Sequence, residues 1–151
     1  MLVKLSMEPF DPWAEACRYQ NTSRDIAGKF GATNLFVGTM RDFNEGDAVA
    51  GMYLEHYPGM TEKVLEKIVH EAAERWPMLD ALVVHRVGEI RPGEPIVLVG
   101  VWTSHRGDAF DASRYIMEAL KSTAPFWKKE VLQATGERWV AQNTDGYLKT
   151  E

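Results

Sequence analysis

Three lysines flank a Pro-Phe-Trp sequence near the end of the chain, and these residue types could do chemistry together. Residues 120–130 read LKSTAPFWKKE; Lys121 ends an apolar-periodic segment and Lys128 directly follows two large aromatic residues. Aromatic surface can partly desolvate an ammonium group, which makes a lysine usable as an acid, a base or an anion clamp. In an extended segment Lys128 and Lys129 point to opposite faces, so only one of them can enter a given pocket. The pattern does not say which, and an exposed ammonium is the simpler interpretation of either lysine.

Two further basic sites lie where predicted strands end. The sequence TSHRGD at 103–108 spans a strand-to-helix junction, where free backbone N–H groups and the positive end of the helix dipole favour an anion. His105 and Arg106 would strengthen such an oxyanion or phosphate site. Arg41 follows a predicted buried strand, a common place for a binding residue. The alternative for all three side chains is a solvated surface role, with Asp108 merely capping the helix.

The bulk composition restricts the class of protein. With 151 residues, 45% hydrophobic and 26% charged, the chain predicts one soluble globular domain over 1–151. Its formal net charge of −5 argues against a general nucleic-acid surface, because such domains are usually basic. No stretch approaches the roughly 18 apolar residues of a membrane span, and the N-terminus lacks the apolar run and cleavage site of a signal peptide. We therefore expect a cytoplasmic protein with neither nucleic acid nor membrane as a partner.

The usual signatures of metal and cofactor sites are missing from the sequence. The single cysteine, Cys17, cannot form an internal disulfide or supply a zinc cluster alone. The four histidines show no metal-ligand spacing, and His85 in VVHRV is interpreted as a strand residue. Phosphate-binding loops, dinucleotide fingerprints and hydrolase motifs do not occur. The sequence predicts neither a metal nor a cofactor.

Hydrophobic periodicity predicts three helices among seven strands. The order is β-α-β-β-α-β-β-α-β-β, which indicates an α+β fold with a mainly antiparallel sheet. The predicted helices are 12–18, capped by Asp11, then 61–76, and one from 107 that ends near 121–123, while 20–28 is predicted as a loop. The predicted strands are 3–7, 32–40, 50–57, 79–87, 95–103, 126–132 and 138–142.

Two residues decide how these elements would present the lysines and Arg41. Pro125 disfavours helical geometry at Ala124, so the last helix must end near Lys121 and a strand must follow with Lys128. Gly38 lies inside the strand that precedes Arg41, where a glycine often marks a bulge or a close backbone approach. The polar tail 143–151 is expected to fray.

Six blocks of sequence resemble the large, catalytic subunit of molybdopterin synthase. Each block alone is weak, but the set is specific because the order is kept without large gaps. The first 30 residues match only loosely. The blocks are FVGTMRD at 36–42, LEHYPGMTEK at 54–63, HRVGEI-x-PGE at 85–94, VGVWTSHR at 99–106, LK-x-x-APFWKKE at 120–130 and GERWV at 136–140.

The resemblance implies an activity, a fold and partners. The family inserts two sulfurs into cyclic pyranopterin monophosphate to make molybdopterin. The sulfur arrives as a thiocarboxylate on the C-terminal Gly-Gly of a small ubiquitin-like subunit, so no cysteine is needed in the large subunit. The large subunit forms a homodimer within a heterotetramer and has an α+β fold of the α/β-hammerhead type, with two main helices and a short N-terminal one.

The resemblance also implies the site residues. Lys121 and Lys128, rather than Lys129, would act as acid–base and electrostatic groups. We expect the basic groups to converge in one cleft, with some contributed by the neighbouring protomer of the dimer, namely His105 and Arg106. The residues implied in substrate binding are Arg41, His105, Arg106, Phe36 and Met117. Some family members have an arginine shortly after RWV, where this chain has Ala-Gln-Asn at 141–143.

A second class of function uses the same basic groups. A non-catalytic dimeric module that binds an anionic small ligand would also need Arg41 and the two lysines in one pocket. Loss of Lys121 would weaken binding in such a module, whereas a catalyst would lose turnover by orders of magnitude with its fold intact. In a purely structural protein the three cations would lie far apart.

Overall fold

The computed structural model describes residues 1–143 and 146–147, and over these residues the chain has an α+β fold. The helices are α1 (Pro12–Thr22), α2 (Met60–Arg75) and α3 (Arg106–Thr123). The strands are β1 (Leu2–Ser6), β2 (Ala32–Thr39), β3 (Phe43–Asn44), β4 (Asp47–His56), β5 (Met78–Arg86), β6 (Gly88–Ile90), β7 (Pro95–Thr103), β8 (Phe126–Leu132) and β9 (Gly136–Val140). No helix of this described part is long and apolar enough to cross a membrane.

The first sheet has the strand order β1-β5-β7-β2 and is covered on both faces. On β5, Val83 packs with α2 and α3 in the larger core cluster, whereas its neighbour Leu82 packs with α1 in a second cluster. Successive strand residues point to opposite faces, so a strand buried on both faces reads as a continuous apolar run. This explains why the apolar runs of β5 and β7 predicted central strands.

The second sheet carries the lysine segment. Its order is β3-β4-β8-β9, and β6 pairs with β4. Along β8, Trp127 and Val131 are exposed while Glu130 is buried, which is the period-two alternation of a sheet with one covered face. The covered face packs on a third apolar cluster that includes Leu54 and Ile90.

The predicted element order is confirmed, with differences at three places. Helix α1 runs on to Thr22 and takes up part of the predicted loop, because the Thr22 hydroxyl donates to the Arg18 carbonyl at 2.9 Å and satisfies the last turn. Strand β3 was not predicted; it forms a hairpin with β4 through Glu45 and Gly46, both at positive φ. Strand β6 was also not predicted, because Gly88 at φ 81° redirects the chain from the first sheet to the second.

The local signals that position the site residues are confirmed. Asp11 caps α1 by accepting hydrogen bonds from Trp13 N and Ala14 N at 2.9 and 3.1 Å. Ala124 is extended, at φ −70° and ψ 133°, so α3 ends before Pro125. The capping role considered for Asp108 is wrong, because His105 is the N-cap residue and Asp108 lies in the first turn.

Gly38 shows both features that an internal strand glycine predicted. The register of β2 against β7 shifts between Gly38 and Thr39, where β7 carries one extra residue, Ile96. A Cβ atom at Gly38 would lie 2.8 Å from Cγ1 of Val97, closer than packed carbon atoms approach. The glycine therefore lets β2 lie close against β7 just before the chain turns towards Arg41.

Candidate functional site

A cavity of about 570 Å³ opens between the second sheet, β2 and the C-terminal half of α3. Its walls combine apolar side chains with a small number of cationic ones, the usual composition of a small-molecule pocket. Five of the residues singled out from the sequence line it: Phe36, Arg41, Met117, Lys121 and Lys128.

His105 and Arg106 lie outside this cavity. Both are exposed at the N-terminal end of α3, whereas Lys121 lies near its C-terminal end. Fifteen residues of α-helix separate Arg106 from Lys121, or roughly 22 Å along the axis. One chain therefore brings Arg41 and the two lysines together, and it leaves the His-Arg pair at the far end of the helix.

The structure places Lys128 in the cavity and Lys129 on the other side of the sheet. Lys129 forms an ion pair with Glu137 at 3.1 Å, and its ammonium lies 5.7 Å from the ring centroid of Trp139. Strand alternation placed the two lysines on opposite faces without choosing between them; the choice is set by which face of the second sheet turns towards the cavity. Of these two side chains, Lys128 is the one that can meet a ligand bound next to Lys121.

Lys128 has the properties of a proton-transfer group. Burial lowers its pKa to about 8, and the nearby charge and hydrogen bond of Lys121 lower it in the same direction, while Glu130 opposes the shift. A lysine with a pKa near 8 is present in both protonation states close to neutral pH, so it can give up a proton and take one back. Its positive form still attracts an anion.

His85 is a cavity residue whose importance the sequence analysis missed. It is 5% exposed, and its Nδ1 lies 2.7 Å from the carbonyl oxygen of Arg86. Its ring stacks on Phe126 with centroids 4.1 Å apart and an angle of 13° between the planes. Burial lowers the pKa of His85 to about 4; the carbonyl bond opposes the shift, and the charges of Lys128 and Lys121 add to it. The ring is therefore neutral at neutral pH.

Glu130 is a second residue that sequence reasoning missed. Its carboxylate is buried and accepts hydrogen bonds from Asn44 Nδ2 at 2.8 Å and from Arg138 Nε at 3.0 Å. Arg138 also donates to Asp47 at 2.8 Å. These bonds tie the β3–β4 hairpin to β8 and β9, and they fix the loop that carries Arg41 at the rim of the cavity. Period-two alternation on β8 could have placed Glu130 on the same face as Lys128. Its partners Asn44 and Arg138 could not have been found in this way, because they depend on how the strands pair.

The segment after β9 forms one more wall. Gln142 and Asn143 line the cavity where some family members have an arginine, and Asn143 Nδ2 donates to the Lys121 carbonyl. Tyr147 lines it as well, and its hydroxyl accepts a hydrogen bond from Arg114 at 2.5 Å. The rest of the tail predicted to fray, 144–145 and 148–151, lies outside the described residues.

The chemistry that this site supports follows from its charges. Arg41 and Lys121 are cations, Lys128 is a cation that can release its proton, and the Glu130 carboxylate is already paired. The cavity therefore favours an anionic organic molecule whose flat or apolar part packs on Phe36 and Met117. Within the described residues no group of histidine, cysteine and carboxylate side chains is arranged to hold a metal ion.

Comparison with known proteins identifies chains with similar sequences and folds. A family model described as "MoaE protein" matches residues 5–123, up to the end of α3. A relative named molybdopterin synthase catalytic subunit, from Pseudomonas aeruginosa, is 51% identical over 142 residues, which cover 93% of this chain and 90% of the relative.

Two solved structures extend the comparison to the fold. The molybdopterin biosynthesis MoaE protein from Burkholderia ambifaria superposes with a TM-score of 0.77 at 48% identity, covering 95% of this chain and 92% of that one. Molybdopterin synthase from Staphylococcus aureus superposes with a TM-score of 0.80 at 30% identity, covering 91% of this chain and 96% of that one. Both superpositions cover more than nine-tenths of this chain.

Proposed function

The chain belongs to the MoaE protein family, and we propose that it is the catalytic subunit of a molybdopterin synthase. In this role it transfers two sulfurs to cyclic pyranopterin monophosphate and yields molybdopterin. The observation that carries the proposal is the lysine pair: Lys128, with a pKa of about 8, lies beside Lys121 in a cavity rimmed by Arg41. The chain is 51% identical to a protein named for this activity.

The lysine pair suits the charge changes of sulfur transfer. The incoming thiocarboxylate and the cyclic phosphate are both anionic, so two ammonium groups in one cavity attract them and stabilise the charge that develops as sulfur attacks. Opening of the cyclic phosphate needs a proton for the leaving oxygen. Lys128 can supply that proton and recover it from solvent because its pKa is about 8.

Substrate binding is assigned to the residues around the lysines. Arg41 at the rim offers a bidentate guanidinium for the phosphate. Phe36 and Met117 form apolar wall for the pterin or for the narrow Gly-Gly tail of the sulfur donor. The chain has no arginine at 141–143, and Gln142 and Asn143 offer neutral polar groups there instead.

The partners follow from the same proposal. A protein named a catalytic subunit works with another subunit, and here that subunit is the small ubiquitin-like sulfur carrier with its C-terminal Gly-Gly thiocarboxylate. We further propose that the chain forms a homodimer within a heterotetramer in the cytoplasm. The length of α3 supports the dimer. It holds Arg106 roughly 22 Å from Lys121 in the same chain, so this arginine lies far from its own chain's cavity. A second chain can deliver His105 and Arg106 to the cavity of the first.

Reconstitution tests this proposal. The purified chain is mixed with cyclic pyranopterin monophosphate and a thiocarboxylated small subunit, and molybdopterin is measured by the fluorescence of its oxidised product. Wild-type chain should form product, whereas Lys121→Ala should lose at least about a hundredfold in turnover while keeping its fold. Lys129→Ala is the control, because Lys129 lies on β8 outside the cavity, where its ammonium pairs with Glu137.

The same experiment distinguishes the binding-module alternative. A non-catalytic module would give no product with wild-type chain, and Lys121→Ala would only weaken ligand binding, by roughly 1–3 kcal/mol for a lost charged contact. Absence of product despite confirmed binding of the small subunit would reject the catalytic proposal. Equal losses of activity in Lys121→Ala and Lys129→Ala would reject the assignment of the site.

A further inference from the structure

His85 presents an unused hydrogen-bond acceptor to the cavity. A carbonyl oxygen only accepts hydrogen bonds, so the contact between Nδ1 and the Arg86 carbonyl requires the proton on Nδ1 and leaves a lone pair on Nε2. Nε2 has no hydrogen-bond partner among the described residues. In that part of the chain, Nε of Arg86 is the one side-chain nitrogen or oxygen that is both fully enclosed and without a partner. Nε2 of His85 lacks a partner but is not fully enclosed, so it must reach the open space of the cavity that His85 lines.

Two contacts hold the ring in one orientation. Phe126 stacks on it at 4.1 Å, and the Arg86 carbonyl fixes Nδ1. Arg86 itself is fixed, because its guanidinium donates to the carbonyls of Met7 and Val87. A buried polar atom without a protein partner costs free energy unless a ligand or water satisfies it. A rigid, unpaired acceptor at a cavity wall is therefore poised to bind a donor.

The charged side chains of the cavity cannot provide this function. Arg41 and the ammonium forms of Lys121 and Lys128 donate hydrogen bonds but do not accept them. The carboxylate oxygens of Glu130 are already bonded to Asn44 and Arg138. A cavity built for anions has few ways to recognise the N–H or O–H groups of a ligand, and the neutral imidazole supplies one.

We propose that His85 is a further substrate-binding residue, whose Nε2 accepts a hydrogen bond from a ring N–H or a hydroxyl of the small molecule in the cavity. The inference rests on the proposed function, in which that molecule is cyclic pyranopterin monophosphate. Its pterin ring carries N–H donors, which the cations cannot bind. The lysines hold the anionic end of the substrate, and His85 selects the orientation of its uncharged end.

Nitrogen NMR on the wild-type protein tests this directly. Long-range ¹H–¹⁵N spectra report the protonation of each imidazole nitrogen, and His85 should show Nδ1–H with a bare Nε2 at neutral pH. Addition of cyclic pyranopterin monophosphate without the small subunit should move the Nε2 resonance to lower frequency, as happens when a bare ring nitrogen accepts a hydrogen bond. The signal is assigned by replacing His56, His70 and His105 in turn with asparagine, so a variant at His85 itself is not required.

Variants supply the second readout. His85→Asn keeps a donor near the Arg86 carbonyl and removes the cavity acceptor, so KM for the substrate should rise about tenfold with kcat changed little. His85→Gln returns an acceptor near the position of Nε2 and should recover most of this loss. His70→Asn is the matched control, because His70 Nδ1 also bonds a carbonyl, that of Glu66 at 2.7 Å, on an exposed helix.

Two results would overturn the inference while the proposed function stands. One is normal product formation with an Nε2 resonance that does not respond to the substrate, or that responds only to the small subunit. The other is an equal effect of His85→Asn and His85→Gln with substrate affinity unchanged, which would mark a purely structural histidine. Failure of the wild-type chain to make any product would reject the proposed function and the inference together.

Discussion

At the scale of single residues, the lysine pair stabilises ligands at the expense of the fold. Burial and the proximity of Lys121 lower the pKa of Lys128 from 10.5 to about 8, which corresponds to at most about 3 kcal/mol of unfavourable free energy and less after solvent screening. The unfolded chain binds more protons than the folded one between these two pKa values. Stability from this group therefore rises with pH from about 8 to 10.5.

This cost can be measured with Lys128→Met. The methionine fills similar volume without a charge, so the free energy of unfolding at pH 7 should increase by about 1–2 kcal/mol while turnover is lost. The gain should shrink as the pH rises from about 8 and be largely gone at pH 10, because the wild-type lysine is then neutral in the folded state. Denaturant unfolding at the two pH values provides the measurement, with Lys129→Met as the control. A Lys128→Met protein less stable than wild type at pH 7 would show that the ammonium is stabilising in the fold.

The residue scale is also where sequence reasoning was least complete. Strand alternation separated Lys128 from Lys129 but could not choose between them, because the choice depends on which face of β8 turns towards α3 and the cavity. His85 and Glu130 were missed for a related reason. The His85 ring stacks on Phe126, 41 residues away, and the Glu130 carboxylate bonds Arg138, 8 residues away. Such contacts are set by the pairing and packing of the strands rather than by any local pattern.

At the scale of elements, the close packing of β2 on β7 at Gly38 links the fold to ligand binding. Gly38→Ala would place a Cβ atom 2.8 Å from Cγ1 of Val97, so this contact must open, and we expect β2 to shift away from β7. Overpacking of this kind typically costs about 1–3 kcal/mol. The movement would also displace Phe36 and Arg41, which β2 and its following loop present to the cavity, so ligand binding should weaken as well.

Gly51 is the control that distinguishes steric strain from the general effect of replacing a strand glycine. Gly51 also lies at a register shift in a strand, but a Cβ atom there would meet its nearest neighbour, the Ile90 carbonyl oxygen, at an ordinary 3.6 Å. Thermal unfolding and substrate titration should therefore show a large effect for Gly38→Ala and a small one for Gly51→Ala. Equal effects would mean that the close approach to Val97 has no influence on the site.

Element order was predictable because its signals are local. The cap at Asp11, the break at Pro125 and the apolar runs of β5 and β7 each act within a few residues. Strands β3 and β6 escaped prediction because each is only two or three residues long and exists through pairing with β4. The parallel pairing of β1 with β5 likewise depends on the whole sheet, since neither strand carries a signal for its neighbour's direction.

At the scale of the whole molecule, the length of α3 supports the proposal that two chains share each site. A straight helix of 18 residues spans roughly 27 Å and cannot fold back on itself, so Arg106 and Lys121 of one chain stay apart. In a two-fold dimer each chain's N-terminal end of α3 can approach the partner's cavity, and the reverse contact then follows from symmetry. The sequence analysis expected this contribution from the resemblance, and the geometry of one chain supplies a physical reason for it.

Mixing two inactive variants tests the shared site. Lys121→Ala chain keeps Arg106 and Arg106→Ala chain keeps Lys121, so a mixed dimer contains one cavity with both native residues and one with neither. Random assortment in a two-fold dimer should restore about a quarter of wild-type turnover after the two variants are denatured together and refolded. A double variant, Lys121→Ala with Arg106→Ala, mixed with either single variant should restore none, because no native pair can form. No recovery in the first mixture, with mixed dimers confirmed by mass spectrometry, would mean that Arg106 acts outside the partner's cavity and that each chain completes its site alone.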